Sequence, residues 1–232
     1  MAYARDFLNN LDLQALLSLL VRVIAALICI IVHECAHGFA ADRLGDPTAR
    51  ASGRLSWNPL RHIDPFGLLM MVVAGVGWAK PVPVDARNFK KPKQGMAITA
   101  LAGPVSNFLL AVVFLALASI AYRLPMVLSF GAAGWRVYFT VLSFFIRVAV
   151  LSVGLGLFNL IPIPPLDGSK VLFSFLPNRI YFTILRYERY VMLALFALVF
   201  LGVLDGPLHY CISHVLYWLC RLTAFPPAML GL

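Results

Sequence analysis

The chain has 232 residues, 61% of them hydrophobic and 12% charged, with a mean hydropathy of +0.87. A soluble domain carries about a quarter charged residues, so an ordinary soluble domain is excluded and much of the apolar surface must face lipid. The net charge of +9 would suggest nucleic acid in a soluble chain. Here Lys and Arg flank apolar runs, where they fix orientation, and no nucleic-acid partner is expected.

The first residues, MAYARDFLNNLDLQ, are polar and lack a small-residue cleavage site, so no cleaved signal peptide is expected. An apolar run over about 14–42 follows. At 1.5 Å per residue it exceeds the ~30 Å of a bilayer core, and it carries His33-Glu34-Cys35-Ala36-His37 near its C-terminal end. Residues 43–95 are polar and rich in Pro and Gly, interrupted by FGLLMMVVAGVG. That piece is too short to cross as a helix and reads as a re-entrant or interfacial segment.

Next comes WAKPVPVDARNF, where Trp78, Val82 and Val84 alternate with polar residues and with Pro81 and Pro83. Prolines in such a run point to an edge strand, here part of a small membrane-associated β-hairpin. An amphipathic loop on the membrane surface is the other reading. Further spans are expected over about 97–121 and 137–161, the latter leading into IPIPPLDG. LDGSKVLFSFL reads as a short helix ending at Pro177, followed by a span over about 188–204 and a shorter one over about 208–222. Cys29, Cys35, Cys211 and Cys220 lie in apolar stretches without metal-ligand spacing and read as packing residues. No internal repeat is present. The expected architecture is an all-α polytopic membrane protein, one domain over 1–232, with about five to six transmembrane or re-entrant segments.

Basic residues give the orientation. The long loop holds Arg43, Arg50, Arg54, Arg61, Lys80, Arg87, Lys90, Lys91 and Lys93. With alternating crossings Lys170, Arg179, Arg186, Arg189 and Arg221 fall on the same side, against Arg5, Arg123 and Arg136 on the other. That bias places the long loop in the cytoplasm and the N-terminus outside. The HECAH run and Asp167 then reach a similar depth.

HECAH is an HExxH pattern. Helical residues four apart lie about 40° apart around the axis, so both imidazoles can reach one metal ion, with Glu34 beside them to take a proton from water. Read as mere packing residues, these three ionisable groups would be expensive to hold in a membrane helix. A catalytic zinc takes three protein ligands and keeps one position open, so a third ligand is needed. Asp167 follows a proline-broken backbone, which is tolerated at membrane depth where it lines a polar cavity. It could equally cap the helix that follows, and the residues alone leave both open.

HECAH, GRLSWNPLRHIDPFG, GWAKPVPVDARNF, AGPVSN and NLIPIPPLDG, in this order between about residues 30 and 175, resemble the site-2 protease family of intramembrane zinc metalloproteases, in its compact prokaryotic form without PDZ or CBS domains. The resemblance implies one zinc ion per chain, ligated by His33, His37 and Asp167, with Glu34 as catalytic acid/base. It also implies that Asn107 binds substrate or steadies the reaction intermediate. An amide there could donate to an oxyanion, an interhelical hydrogen bond being the alternative. Asn159 matches a further family position. Lys80, Pro81, Val82, Pro83 and Val84 match a strand beside the family's site, which would hold an extended substrate by strand addition. Single-span membrane proteins or membrane-retained peptides would be the substrates. The location would be a prokaryotic inner membrane, with lipid around the protein and the site toward the cytoplasm. Asn58, His62 and Asp64 form a polar cluster suited to orienting the loop through hydrogen bonds. A metal transporter would give Glu34 no task and would more often show inverted repeats; a non-catalytic scaffold for transmembrane helices is the remaining alternative.

Overall fold

The computed structural model describes residues 13–67, 69, 80–126 and 131–232. The long helices are α1 (Leu13–Arg43), α3 (Pro92–Arg123), α4 (Ala132–Asn159), α6 (Asn178–Phe200) and α7 (Asp205–Thr223). Two short ones, α2 (Thr48–Ala51) and α5 (Asp167–Ser174), sit between them. No strand forms among the described residues.

Three helices, α1, α3 and α4, are each long and apolar enough to cross a membrane. The segments Arg189–Phe200 and Asp205–Thr223 meet that standard only together, bent by 79° at a short break. Hydropathy alone suggested two separate spans here and five to six segments in all. Among the described residues three helices are long and apolar enough to cross, or four with the bent pair as one broken span. The break is built by Gly202, whose φ of +69° is the left-handed conformation that ends helices just past the C-cap. Most of FGLLMMVVAGVG lies outside the described residues.

Helix α3 is the hub and packs against α1, α4, α5 and α7. Its sequence is apolar all round, so its faces are distinguished by size. Ala100, Gly103, Pro104, Asn107, Ala111, Leu115 and Ala118 are buried at spacings of three and four residues. The opposite face, Ile98, Val105, Leu109, Val113 and Ile120, is large and exposed. Between membrane helices the gain comes from close packing rather than from water exclusion, which favours small residues inside and bulky ones toward lipid. The largest buried cluster joins Ala111, Leu115 and Ala118 to Leu142, Ala149 and Val153 of α4 and to Leu216 and Cys220 of α7.

Helix α4 stops at Asn159 because Pro162, Pro164 and Pro165 cannot continue it. The chain turns back within seven residues, and α5 begins at Asp167. This reversal is tight at Gly168, where a Cβ would lie 2.2 Å from the Leu160 carbonyl oxygen. Backbone is the obstacle, so no side-chain rotation relieves it. Gly168→Ala is therefore expected to cost about 1–3 kcal/mol and to lower the thermal midpoint in detergent by roughly 4–10 °C. Thermal unfolding followed by circular dichroism checks this.

Candidate metal centre

His33 and His37 lie one turn apart on the last third of α1, both buried. Asp167, the first residue of α5, is buried against them from a sequence distance of 134 residues. Its Oδ2 is 3.1 Å from His33 Nε2 and 3.1 Å from His37 Nε2, and the two imidazole nitrogens are 3.0 Å apart. These three atoms make a nearly equilateral triangle.

The donor set can be tested against a metal on tautomer grounds. His37 Nδ1 lies 2.7 Å from the Thr99 carbonyl oxygen, which can only accept, so Nδ1 carries the proton and the neutral imidazole presents its lone pair at Nε2. That lone pair faces a carboxylate oxygen. Two acceptors at this distance need a proton or a metal ion between them, and His33 Nε2 converges on the same point as a third donor. The ligands of a tetrahedral zinc lie about 3.3 Å apart, given bonds of about 2.0–2.1 Å, close to the edges seen here. The residues present therefore fit a zinc ion. The Thr99 bond is the outer support that orients a ligating histidine. Lys170 supplies a second such support by donating to Asp167 Oδ1 at 3.2 Å, which leaves Oδ2 for the cluster. Lys170 is half-exposed, so the contact orients the carboxylate more than it stabilises the fold.

Helix α3 closes the site with backbone. A Cβ on Gly103 would lie 2.5 Å from His37 Nε2 and Cε1 and 2.6 Å from His33 Cε1, so only glycine lets α3 approach the imidazoles. Thr99, Gly103 and Asn107, four apart, share one face of α3. Asn107 is fully buried, and neither its Nδ2 nor its Oδ1 has a hydrogen-bond partner among the described residues. Asn159 donates instead to the Leu155 carbonyl of its own helix.

Glu34 is half-buried next to His33, and its Oε2 accepts a 2.8 Å hydrogen bond from the Val82 main-chain N–H. Residues 80–85 have no regular secondary structure, so the edge strand expected from the alternation is absent there; Trp78 and Ala79 lie outside the described residues. Pro81 and Pro83 supply no N–H, and the N–H groups of Lys80, Val82 and Asp85 are already used. Lys80 N–H donates to the His62 carbonyl at 2.9 Å, and Asp85 N–H to Asp46 Oδ2 at 2.7 Å.

Asp46 escaped the sequence reading. It is fully buried and, besides Asp85 N–H, accepts from Asn88 Nδ2 at 2.7 Å, from Thr48 N–H at 3.1 Å and from the Thr48 hydroxyl. Burial alone would raise its pKa, but these donors outweigh burial and hold the carboxyl below its ordinary value. The only local signal is the Asp46-Pro47-Thr48 run, a sequence that favours a turn in which the Asp side chain bonds the backbone two residues on. The Asp85 carboxyl is held at about 2 by the Arg87 side chain, whose Nε donates to both its oxygens and whose Nη2 donates to Oδ2.

The loop cluster behaves as an internal brace. His62 is buried, with Nε2 2.7 Å from the Ser56 carbonyl. Asn58 caps the turn at Leu60, and Asp64 accepts from Gly67 N–H. Among the described residues, only His33, His37 and Asp167 bring three ligand atoms close enough to share an ion.

Comparison with known proteins adds an independent line. The model of peptidase family M50 matches residues 21–202. The YwhC protein of Bacillus subtilis (strain 168) is 40% identical over 75% of this chain and 78% of its own length. The Rip2 proteins of Mycolicibacterium smegmatis and Mycobacterium tuberculosis (H37Rv) are 31% and 28% identical, over 61% and 88% of this chain and 52% and 74% of their own lengths. All three are named as candidate zinc metalloproteases. No solved structure gives a significant match.

Two outcomes follow from the geometry. Gly103→Ala is expected to weaken metal retention by at least about tenfold, read as metal content after equilibration against a graded chelator; unchanged retention would contradict the close approach of α3. Asp46→Ala is expected to free the 80–88 segment, so that limited trypsin cleavage after Arg87 accelerates several-fold, by roughly 1 kcal/mol of lost local protection.

Proposed function

Since the chain belongs to peptidase family M50, the site-2 protease family, we propose that this integral membrane protein is a zinc endopeptidase that cuts peptide bonds in or beside the transmembrane segments of single-span proteins. The observation that carries the reading is the convergence of His33, His37 and Asp167 from α1 and α5 on one point, with Glu34 adjacent. A metal transporter has use for the ligands but none for the carboxylate beside them.

His33, His37 and Asp167 would hold the ion. Bound there, a zinc ion would supply Lewis acidity, lowering the pKa of a water molecule and polarising a carbonyl. Glu34 takes the proton from the attacking water and passes it to the leaving amine. Asn107, with an unused amide on the helix face that carries Gly103, donates to the oxygen on which negative charge develops. Residues 80–84 hold the substrate extended. Val84, whose N–H and carbonyl carry no hydrogen bond among the described residues, offers the pairing position. A substrate helix must unwind locally before its amides can be reached.

The excess of Lys and Arg in the loop after α1 supports a cytoplasmic placement of that loop and of the site, in a prokaryotic inner membrane, with the whole chain acting as one domain. Water would then enter from the cytoplasmic side. The test uses purified enzyme and a tagged single-span substrate. Cleavage should disappear with a zinc chelator and return with zinc. Glu34→Gln should keep stoichiometric zinc and lose cleavage by at least about 100-fold, whereas Asp167→Ala should lose the zinc itself. Full cleavage by the Glu34 variant would refute the assignment.

A further inference from the structure

We propose that the Val82 main-chain amide is a positioning group for Glu34, and that the polar loop around Arg54, His62 and Asp46 serves to hold it in place. The inference rests on the peptidase reading and adds a residue to it that acts through its backbone.

The local sequence leaves little choice of donor. In Lys80-Pro81-Val82-Pro83 both prolines lack an N–H, so Val82 provides the single main-chain donor between Lys80 and Val84. That donor is spent on Glu34 Oε2 at 2.8 Å. Among the described residues Glu34 has no other hydrogen-bond or ion-pair partner, so Oε1 stays open to receive a proton. A base held by a third group is the general pattern of acid–base sites. A glutamate on a membrane helix would otherwise sample several rotamers, each of which misplaces the carboxylate.

The amide is itself clamped on both sides. Upstream, Lys80 N–H bonds the His62 carbonyl, and Arg54 Nη2 donates to the carbonyls of Lys80 at 2.6 Å and Pro81 at 3.2 Å. Downstream, Asp46 holds Asp85 N–H and Asn88. The Val82 side chain is buried on α1 beside Gly38, where a Cβ would lie 3.1 Å from Val82 Cγ1. Gly38 is one turn beyond Glu34, so the same small residue that seats Val82 sets its N–H over the carboxylate. Strand addition to substrate cannot use this amide while Glu34 holds it.

The discriminating experiment changes one atom. Val82 in the full-length, zinc-loaded enzyme is replaced by 2-hydroxy-3-methylbutanoic acid through nonsense suppression, turning the N–H into an ester oxygen and leaving the side chain intact. The expected result on the tagged single-span substrate is a kcat about 10- to 100-fold lower, with KM within about twofold and zinc content unchanged. Asp46→Asn loosens the downstream clamp without removing any backbone donor and should lower kcat in the same direction, by several-fold. An unchanged kcat in both variants overturns the proposal. So does a raised KM with kcat intact, which would make Val82 a substrate contact, or a loss of zinc, which would make the segment a support of the metal centre. If the unmodified enzyme shows no chelator-sensitive cleavage, the peptidase reading fails and this inference falls with it.

Discussion

Everything at the site depends on how closely one helix can lie against another. Two imidazoles on α1 and a carboxylate on α5 meet because α3 presents bare backbone at Gly103, where even a methyl group would overlap both rings. The same close approach brings the Thr99 carbonyl onto His37 Nδ1 and so fixes which nitrogen faces the cluster. In lipid, helices gain little from hiding apolar surface from one another, and association rests on contact area and polar bonds. A glycine at the crossing point therefore serves packing and chemistry at once. The inside-out pattern of α3, small residues inward and large ones outward, follows from the same physics.

A second constraint is the chain reversal between α4 and α5. Prolines end α4, and Gly168 fits under the Leu160 carbonyl; the short α5 then starts with its carboxylate already facing the histidines. Asp167 could have been an ordinary cap, yet the N-cap position of α5 is Leu166, which makes no side-chain cap bond. The Asp167 oxygens go to His33, His37 and Lys170 instead. Its position at the start of a helix is favourable for a negative charge, so the fold tolerates a buried carboxylate there.

These facts explain what the residues alone could reveal. The pair His33 and His37 was legible because helical periodicity is local, and four residues is one turn whatever surrounds it. The approximate extents of α1, α3, α4 and α5 were legible for the same reason, as hydropathy and prolines mark helix length and ends. Asp167 needed the resemblance, since no local rule says whether a carboxylate after prolines caps or ligates. The α6–α7 bend was not legible because hydropathy carries no angle, and Gly202 is one residue in an apolar stretch. The segment around Val82 misled, since alternation suggests a strand while the fate of each amide depends on partners far away in sequence. Asp46 was missed for that reason too: its bonds to Asp85 and Asn88 span 39 and 42 residues.

The distribution of unsatisfied groups argues for a site arranged for more than stability. Buried polar atoms without partners are uncommon in folded proteins, each costing about 1–3 kcal/mol. Among the described residues those on His33, Thr99 and Asn107 lie on the two helices that form the centre. Asp46, equally buried but remote from the ligands, is by contrast fully occupied by donors. A fold that saturates its bracing carboxylate and leaves the amide of Asn107 unused has not run short of partners. It keeps unused hydrogen-bonding capacity on the helix face next to His33 and His37, and the cost of leaving that capacity idle is met by the packing of α3 against α1 and α4. Local rules for polar satisfaction fail at functional sites, and among the described residues the failure falls on the helix faces around His33, His37 and Asp167 and on the loop that holds Val82.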